Sequence, residues 1–222
     1  MVKAVIFDMY ETLITHYESP LYFGSQMAHD AGIEEEIFLE TWHSSEEDRT
    51  LGKITFEEIL ERILKENDSY SEELMDYILE KRLHCKEEAF EHLHTEIISM
   101  LRLLKEKGIL IGLISNCFSE EAVVIKKSIL YPYFDEVCLS YDEGMKKPDK
   151  AIFERCLKKL NVKSEECLYV GDGGSSELEA AQSVGMKAVQ AVWYLKEGTG
   201  QPSKRKAEFE NIETPLDVLK FL

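Results

Sequence analysis

The chain has 222 residues, enough to bury one substantial core or two modest ones. It is 44% hydrophobic and 31% charged, an ordinary globular composition, and no apolar run approaches the roughly 18 residues that a membrane span needs. The formal charge of -17 repels nucleic acid and anionic membranes, so neither is expected as a partner.

The start, MVKAVIFD, has no charged region, apolar stretch and small-residue cleavage site of a signal peptide, so a cytoplasmic location is expected. Five cysteines (Cys85, Cys117, Cys138, Cys156, Cys167) are odd in number and scattered without a CxxC pair. Neither a zinc site nor a disulfide framework is expected. Residues 30–91 hold 20 acidic against 7 basic side chains. The plain reading is a solvated helical surface, the alternative a docking face for a basic partner. Nothing points to an oligomer, and a monomer is the default.

In chain order, residues 2–7 (VKAVIF) read as a strand covered on both faces, ending on Asp8. Helical spacing follows over about 22–31, 34–50, 55–67 and 71–91. Thr55 with Glu58 predicts a capping box, and Ser71 a cap for the fourth helix. Next come a helix at about 95–107, a strand at 109–115, a helix at about 119–130 and a strand at 136–140. A helix at about 149–160, a strand at 166–172, a helix at about 175–184 and a strand at 187–193 complete the pattern. PSKRKAEF (202–209) reads as a surface loop with a small basic cluster.

Strands alternating with helices predict an α/β fold, a Rossmann-like doubly wound parallel sheet. About 100 residues separate Asp8 from the strand at 109, where a βαβ crossover takes roughly 30. The surplus predicts an inserted α-helical cap, residues 15–92, on an α/β core of residues 1–14 and 93–222.

In such sheets the reactive edge is the carboxyl end of the strands. The first strand ends at Asp8 and the second at Ser115-Asn116; Lys147-Pro148 precedes a helix, and the fourth strand ends GDGGSSE with Asp172 and Glu177. Taken singly, each is ordinary turn or cap chemistry. Together they offer two or three carboxylates, an amine, a hydroxyl and backbone amides, a set suited to phosphoryl transfer.

This order of residues resembles the haloacid dehalogenase superfamily, most of whose members are phosphatases. The matching motifs are Asp8-Met9-Tyr10-Glu11-Thr12, then Ser115 with Asn116, then Lys147 in KKPDKAIF, and finally Asp172 with Glu177. The resemblance covers the whole chain, including an insertion where the family places a helical type-1 cap. It implies that Asp8 attacks phosphorus and forms an aspartyl phosphate that water hydrolyses. It also implies Mg²⁺ as cofactor, held by Asp8, the Tyr10 carbonyl and Asp172, with Glu177 farther out. Ser115 and Lys147 would bind the phosphoryl oxygens, beside Asn116. A small phosphorylated molecule is the implied substrate, and Tyr17, Tyr22, Phe23, His43 and Arg49 of the cap are candidates to meet it. His43 and Arg49 are the cations expected to face an anion. His92 and His94 show no ligand spacing and are expected at the surface.

The chain departs from the family pattern twice. Where its phosphatases usually carry an Asp that serves as acid and base, this chain has Tyr10, a poor base at neutral pH. Glu11 replaces the usual Gly. Tyrosine at position 10 is what the family's 2-haloacid dehalogenases carry, in which Asp attacks carbon and expels halide. Those enzymes, however, carry a serine where this chain has Asp172, and an arginine in the cap beside a tryptophan, whereas here Trp42 is followed by His43. Three readings remain: a Mg²⁺-dependent phosphatase, a 2-haloacid dehalogenase, or a weakly active or inactive binding protein on the same fold.

Overall fold

The computed structural model describes residues 1–196, 201 and 203–222. Its centre is a six-stranded sheet in the order β3-β2-β1-β4-β5-β6. The strands are β1 (Ala4–Phe7), β2 (Leu110–Ser115), β3 (Glu136–Leu139), β4 (Cys167–Gly171), β5 (Lys187–Ala191) and β6 (Glu210–Ile212). Every pairing is parallel. Five of these strands lie where the apolar runs place them. The sixth, three residues long at the sheet edge, is too short and polar to show as a run.

Five helices separate β1 from the core: α1 (Gly24–Ala31), α2 (Glu35–Ser44), α3 (Glu46–Thr50), α4 (Phe56–Glu66) and α5 (Glu72–Glu88). The core helices are α6 (Ile97–Glu106), α7 (Ser119–Lys127), α8 (Ser140–Glu143), α9 (Lys150–Leu160) and α10 (Glu177–Ser183).

The two-residue period of a strand divides the core. Val5 and Phe7 of β1 join Leu168 and Val170 of β4 on one face, beneath α6 and α7. Ala4 and Ile6 join Cys167 and Tyr169 on the other, beneath α9 and α10. The central strands β1 and β4 are therefore buried throughout, as their continuous apolar sequence requires.

Helices α1–α5 hold a separate apolar cluster built on Met27, Phe38, Trp42, Phe56, Ile59 and Ile63. The caps expected at their ends are present. Thr55 accepts from the Glu58 amide at 3.1 Å while Glu58 accepts from the Thr55 amide at 2.8 Å, and Ser71 accepts from the Leu74 amide at 3.1 Å. The single helix expected over 34–50 is broken at Ser45. There the serine hydroxyl bonds back to the Trp42 carbonyl at 2.8 Å and accepts from Arg49 Nε at 3.0 Å, drawing the turn inward.

Two of the three basic residues of the 202–209 stretch meet acidic partners: Arg205 pairs with Glu213 at 2.7 Å and Lys206 with Glu179 at 2.5 Å. Pro202, at the start of that stretch, lies outside the described residues. All five cysteines are free and buried. His92 is exposed, but His94 is half-buried with its ring edge-on to Tyr194. Among the described residues no helix is long and apolar enough to cross a membrane.

Candidate active site

Strand order makes the site. β1 lies between β2 and β4, so Asp8, the first residue beyond β1, is flanked by the ends of both neighbours. This is the switch point of the doubly wound sheet, where successive connections leave in opposite directions. The Asp8 amide donates to Val170 O of β4 at 2.9 Å, which fixes the turn.

Lys147 arrives on the loop before α9. Asn116 holds that loop at two points: its Nδ2 donates to Lys147 O at 2.9 Å, and its Oδ1 accepts from Lys147 N at 2.8 Å. The Lys147 ammonium then pairs with Asp8 and, at 2.5 Å, with Glu177 Oε2. Glu177, the first residue of α10, also accepts from Tyr169 Oη at 2.8 Å and from the Gly173 amide at 3.2 Å. Gly171 leaves room for it, since a Cβ there would overlap the Glu177 carboxylate. Asp172 accepts from the Gly174 amide at 2.9 Å and from Ser203 Oγ at 2.5 Å. Carboxylate oxygens of Asp8, Asp172 and Glu177 all lie within 4.8 Å of one another, and all three residues are buried.

Two of these three buried carboxylates, Asp8 and Glu177, thus share one amine. Burial raises Asp8 to about 6; Lys147 opposes that shift and Asp172 adds to it. Burial, reinforced by Asp8, raises Glu177 further, to about 8. Burial alone would lower Lys147, yet the attraction of Asp8 and Glu177 prevails and holds it charged. Lys147 thus shifts as in a simple pair, whereas its carboxylate partners rise instead of falling, because burial and their mutual repulsion outweigh one positive charge. The set is short of positive charge and offers only oxygen, a donor set suited to a hard divalent cation.

A cavity of about 150 Å³ over these groups is lined by Asp8, Tyr10, Lys147, Asp172, Ser175 and Glu177, among others. It adjoins a cleft of about 580 Å³ that shares Tyr10, Asn116, Lys147 and Ser175. Ser175 and Ser176 both have φ of +50°, a left-handed conformation costly for residues with a Cβ.

Tyr10 lines both spaces, and its ring stacks on His16 with centroids 4.6 Å apart. Burial, with Glu121 adding to it, raises the phenol well above its ordinary value, so Tyr10 stays neutral. Glu11 has φ of +58°, which is why a glycine suits that position. Its carboxylate offsets the strain: it accepts from Thr15 Oγ1 at 2.6 Å, the His16 amide at 3.0 Å and Gln201 Nε2 at 2.9 Å. The glutamate fastens the turn that carries Tyr10 and His16.

The structure brings together Asp8, Tyr10, Asn116, Lys147, Asp172 and Glu177. Ser115 lies at the same edge but is fully buried, its Oγ 3.4 Å from Asn116 O, and it lines neither space. His43 is exposed and faces a separate surface hollow beside Glu36 and Glu40. Arg49 is buried between the rings of Trp42 and Phe118, 3.6 and 4.0 Å from their centroids. It donates to Trp42 O at 2.9 Å, while its Nη1 has no hydrogen-bond partner among the described residues. The arginine beside a tryptophan is therefore present in space, seven places along the chain rather than one. Tyr22 is buried against Asp30 at 2.8 Å, and Phe23 is edge-on to His16. Tyr17 is half-buried and lines neither space.

Sequence reasoning missed Tyr169, Ser203, His16 and a buried charge cluster between α5 and α7. Alternation along β4 puts Tyr169 on the same face as Gly171, a signal that was available; no signal in the sequence marks Ser203. In the cluster, Arg82 pairs with Glu120 at 3.0 Å, and Lys86 pairs with Glu121 at 2.7 Å and approaches His16 Nε2 at 3.3 Å.

A carboxylate at the switch point of a doubly wound sheet, facing a lysine and two further acids, is the arrangement expected from the four sequence motifs. The chain belongs to the haloacid dehalogenase-like hydrolases, whose family model matches residues 2–185. It is 27% identical over 212 residues to a glyceraldehyde 3-phosphate phosphatase of Methanopyrus kandleri, covering 86% of this chain and 84% of that one. To the same-named protein of Pyrococcus furiosus it is 40% identical over 93 residues, which span 41% of this chain and 38% of the relative. A solved structure of a 2-haloacid dehalogenase from Pseudomonas syringae pv. Tomato DC3000 has the same fold, with a TM-score of 0.71 at 22% identity over 99% of this chain and 97% of that one.

Proposed function

We propose that this protein is a Mg²⁺-dependent phosphatase of small phosphate monoesters that works through an aspartyl-phosphate intermediate. The observation that carries the reading is the meeting of Asp8, Asp172 and Glu177 within 4.8 Å, with Lys147 paired to Asp8 and Glu177. A set so rich in negative charge suits a divalent cation and an incoming phosphate, and makes little sense for a carboxylate substrate alone. The phosphatase names of relatives matched over most of this chain support the same reading. Residues 15–92 act as the cap over the reactive edge.

Asp8 attacks phosphorus and forms an acyl phosphate; the ester bond breaks and the alcohol leaves. Asp8, the Tyr10 carbonyl and Asp172 would hold the ion, with Glu177 behind them; when bound, it supplies positive charge against the phosphoryl oxygens. Lys147 keeps Asp8 ionised and oriented and meets the oxygens as a point charge. Asn116 fixes the backbone from which Lys147 reaches in. Tyr10, neutral and lining the cavity, can donate a hydrogen bond to the leaving oxygen but takes no proton from water. Phosphate release that requires Mg²⁺, stops with EDTA and is abolished by Asp8→Asn is the expected result. Release persisting in Asp8→Asn would refute the reading.

One observation favours a second reading. Tyr10 together with Arg49 on Trp42 reproduces two features of the 2-haloacid dehalogenases. Asp172, buried beside Asp8, opposes it, because a substrate carboxylate would meet a third like charge. Halide release from 2-chloropropionate without metal would favour that reading over the first.

A further inference from the structure

Resting on the phosphatase reading, the charges around the larger cleft restrict what the ester can carry besides its phosphate. The transferred group belongs in the small cavity over Asp8, so the rest of the substrate occupies the adjoining space of about 580 Å³. Two carboxylates, Glu46 of α3 and Glu121 of α7, and two amines, Lys146 and Lys147, line it. The amines are both engaged. Lys147 is held by Asp8 and Glu177 on the floor, and Lys146 is paired with Glu47 of α3. The cations behind the wall are matched as well: Lys86 by Glu121 at 2.7 Å, and Arg82 by Glu120 at 3.0 Å. Arg49 lies behind the Phe118 ring, 4.0 Å from its centroid, and does not line the cleft. His16 lines it with Nε2 turned to Lys86, so that nitrogen accepts rather than presenting a positive charge. Glu46 has no cationic partner within 4 Å among the described residues and is exposed at the mouth.

We propose that the substrate carries no second anionic group, and that its leaving group is an uncharged hydroxyl compound such as a polyol, a hydroxy-aldehyde or a phenol. A carboxylate in this cleft would face the unmatched Glu46 with every nearby amine already engaged, Glu121 being balanced by Lys86, and rejection by like charge is an effective source of specificity. Hydroxyl groups, by contrast, find the acceptor oxygens of Glu46 and the polar Asn116, Ser175 and Ser176.

The test compares glyceraldehyde 3-phosphate with 3-phosphoglycerate, which share a skeleton and a primary alkoxide leaving group but differ in aldehyde against carboxylate. p-Nitrophenyl phosphate serves as the control. The expected kcat/KM is about 10-fold or more higher for the aldehyde, the scale at which one unfavourable contact discriminates. Glu46→Lys should move the ratio at least about fivefold toward the carboxylate, and Glu47→Gln, which releases Lys146, should move it the same way. Equal rates on the two esters, or a ratio unmoved in both variants, would overturn the inference while p-nitrophenyl phosphate is still hydrolysed. No release from any of the three esters would refute the phosphatase reading and this inference with it.

Discussion

Glu121→Gln tests whether α5 is held to the core by charge. Glu121 is buried beneath two cations of α5, with Lys86 Nζ at 2.7 Å and Arg82 Nη2 at 3.7 Å, and its other oxygen accepts from the Phe118 amide at 3.0 Å. Glutamine keeps an oxygen for Phe118 but leaves Lys86 buried without a counter-charge. Breaking one partner of a buried pair costs about 3–5 kcal/mol. Retaining the Phe118 bond and the second carboxylate, Glu120, places the expected loss near the lower end, about 3 kcal/mol. For a chain of this size that is about 6–12 °C in Tm. Burial alone would raise Glu121, but Lys86 and then Arg82 outweigh it and hold the group down to about 2. A carboxyl depressed on folding contributes stability that is full above its unfolded value near 4.5 and fades as pH falls toward 2. The gap between wild type and Glu121→Gln should therefore be widest near neutrality and close through that window. Thermal and urea unfolding across pH 3–8 read both effects, and Glu121→Leu with Lys86→Met should recover much of the loss. A Tm shift below about 2 °C, a gap that does not vary with pH, or a double variant no better than the sum of its parts would refute the reasoning.

Tyr10→Asp restores a carboxyl able to protonate the leaving oxygen. It should raise turnover of alkyl phosphates by about 10²–10⁴, and much less for p-nitrophenyl phosphate, whose anion leaves unaided. The same argument predicts that the wild type favours aryl and acyl phosphates over alkyl ones, and equal rates would count against it. Glu11→Gly relieves about 1 kcal/mol of left-handed strain but gives up three hydrogen bonds to a carboxylate, so a net loss of about 1–2 kcal/mol is expected in urea unfolding. A stabilised variant would show that the strain outweighs the bonds.

The parallel sheet was legible because β1, β2 and β4 are covered on both faces and must be apolar throughout, a pattern that survives without any partner's sequence. The inserted helices were legible from length alone, and Thr55 and Ser71 marked two of their starts. What stayed hidden depended on proximity in space. Arg49 reaches Trp42 because Ser45 turns the chain inward, which helical spacing over 34–50 does not foretell. Lys86 and Arg82 read as part of a solvated helix face, yet they are buried, because the carboxylates that receive them stand on α7, some 35 residues farther on. Glu11 had no account in the sequence; Thr15 and His16 become its partners only once residues 8–16 have turned back on themselves, and Gln201 reaches it from 190 residues along the chain.

Among the described residues, every side chain bonded to the carboxylates of Asp8, Asp172 and Glu177, from Lys147 and Tyr169 to Ser203, comes from strands and loops of the sheet, and none from α1–α5. The Asn116 bonds to Lys147 likewise stay within that scaffold. The adjoining cleft, by contrast, is walled from both sides, by Glu46 and Thr50 of α3 and by Phe118, Glu121, Lys146 and Ser176 from outside α1–α5. A change in the inserted helices therefore reshapes only one side of that cleft and leaves every side chain bonded to Asp8, Asp172 and Glu177 among the described residues in place.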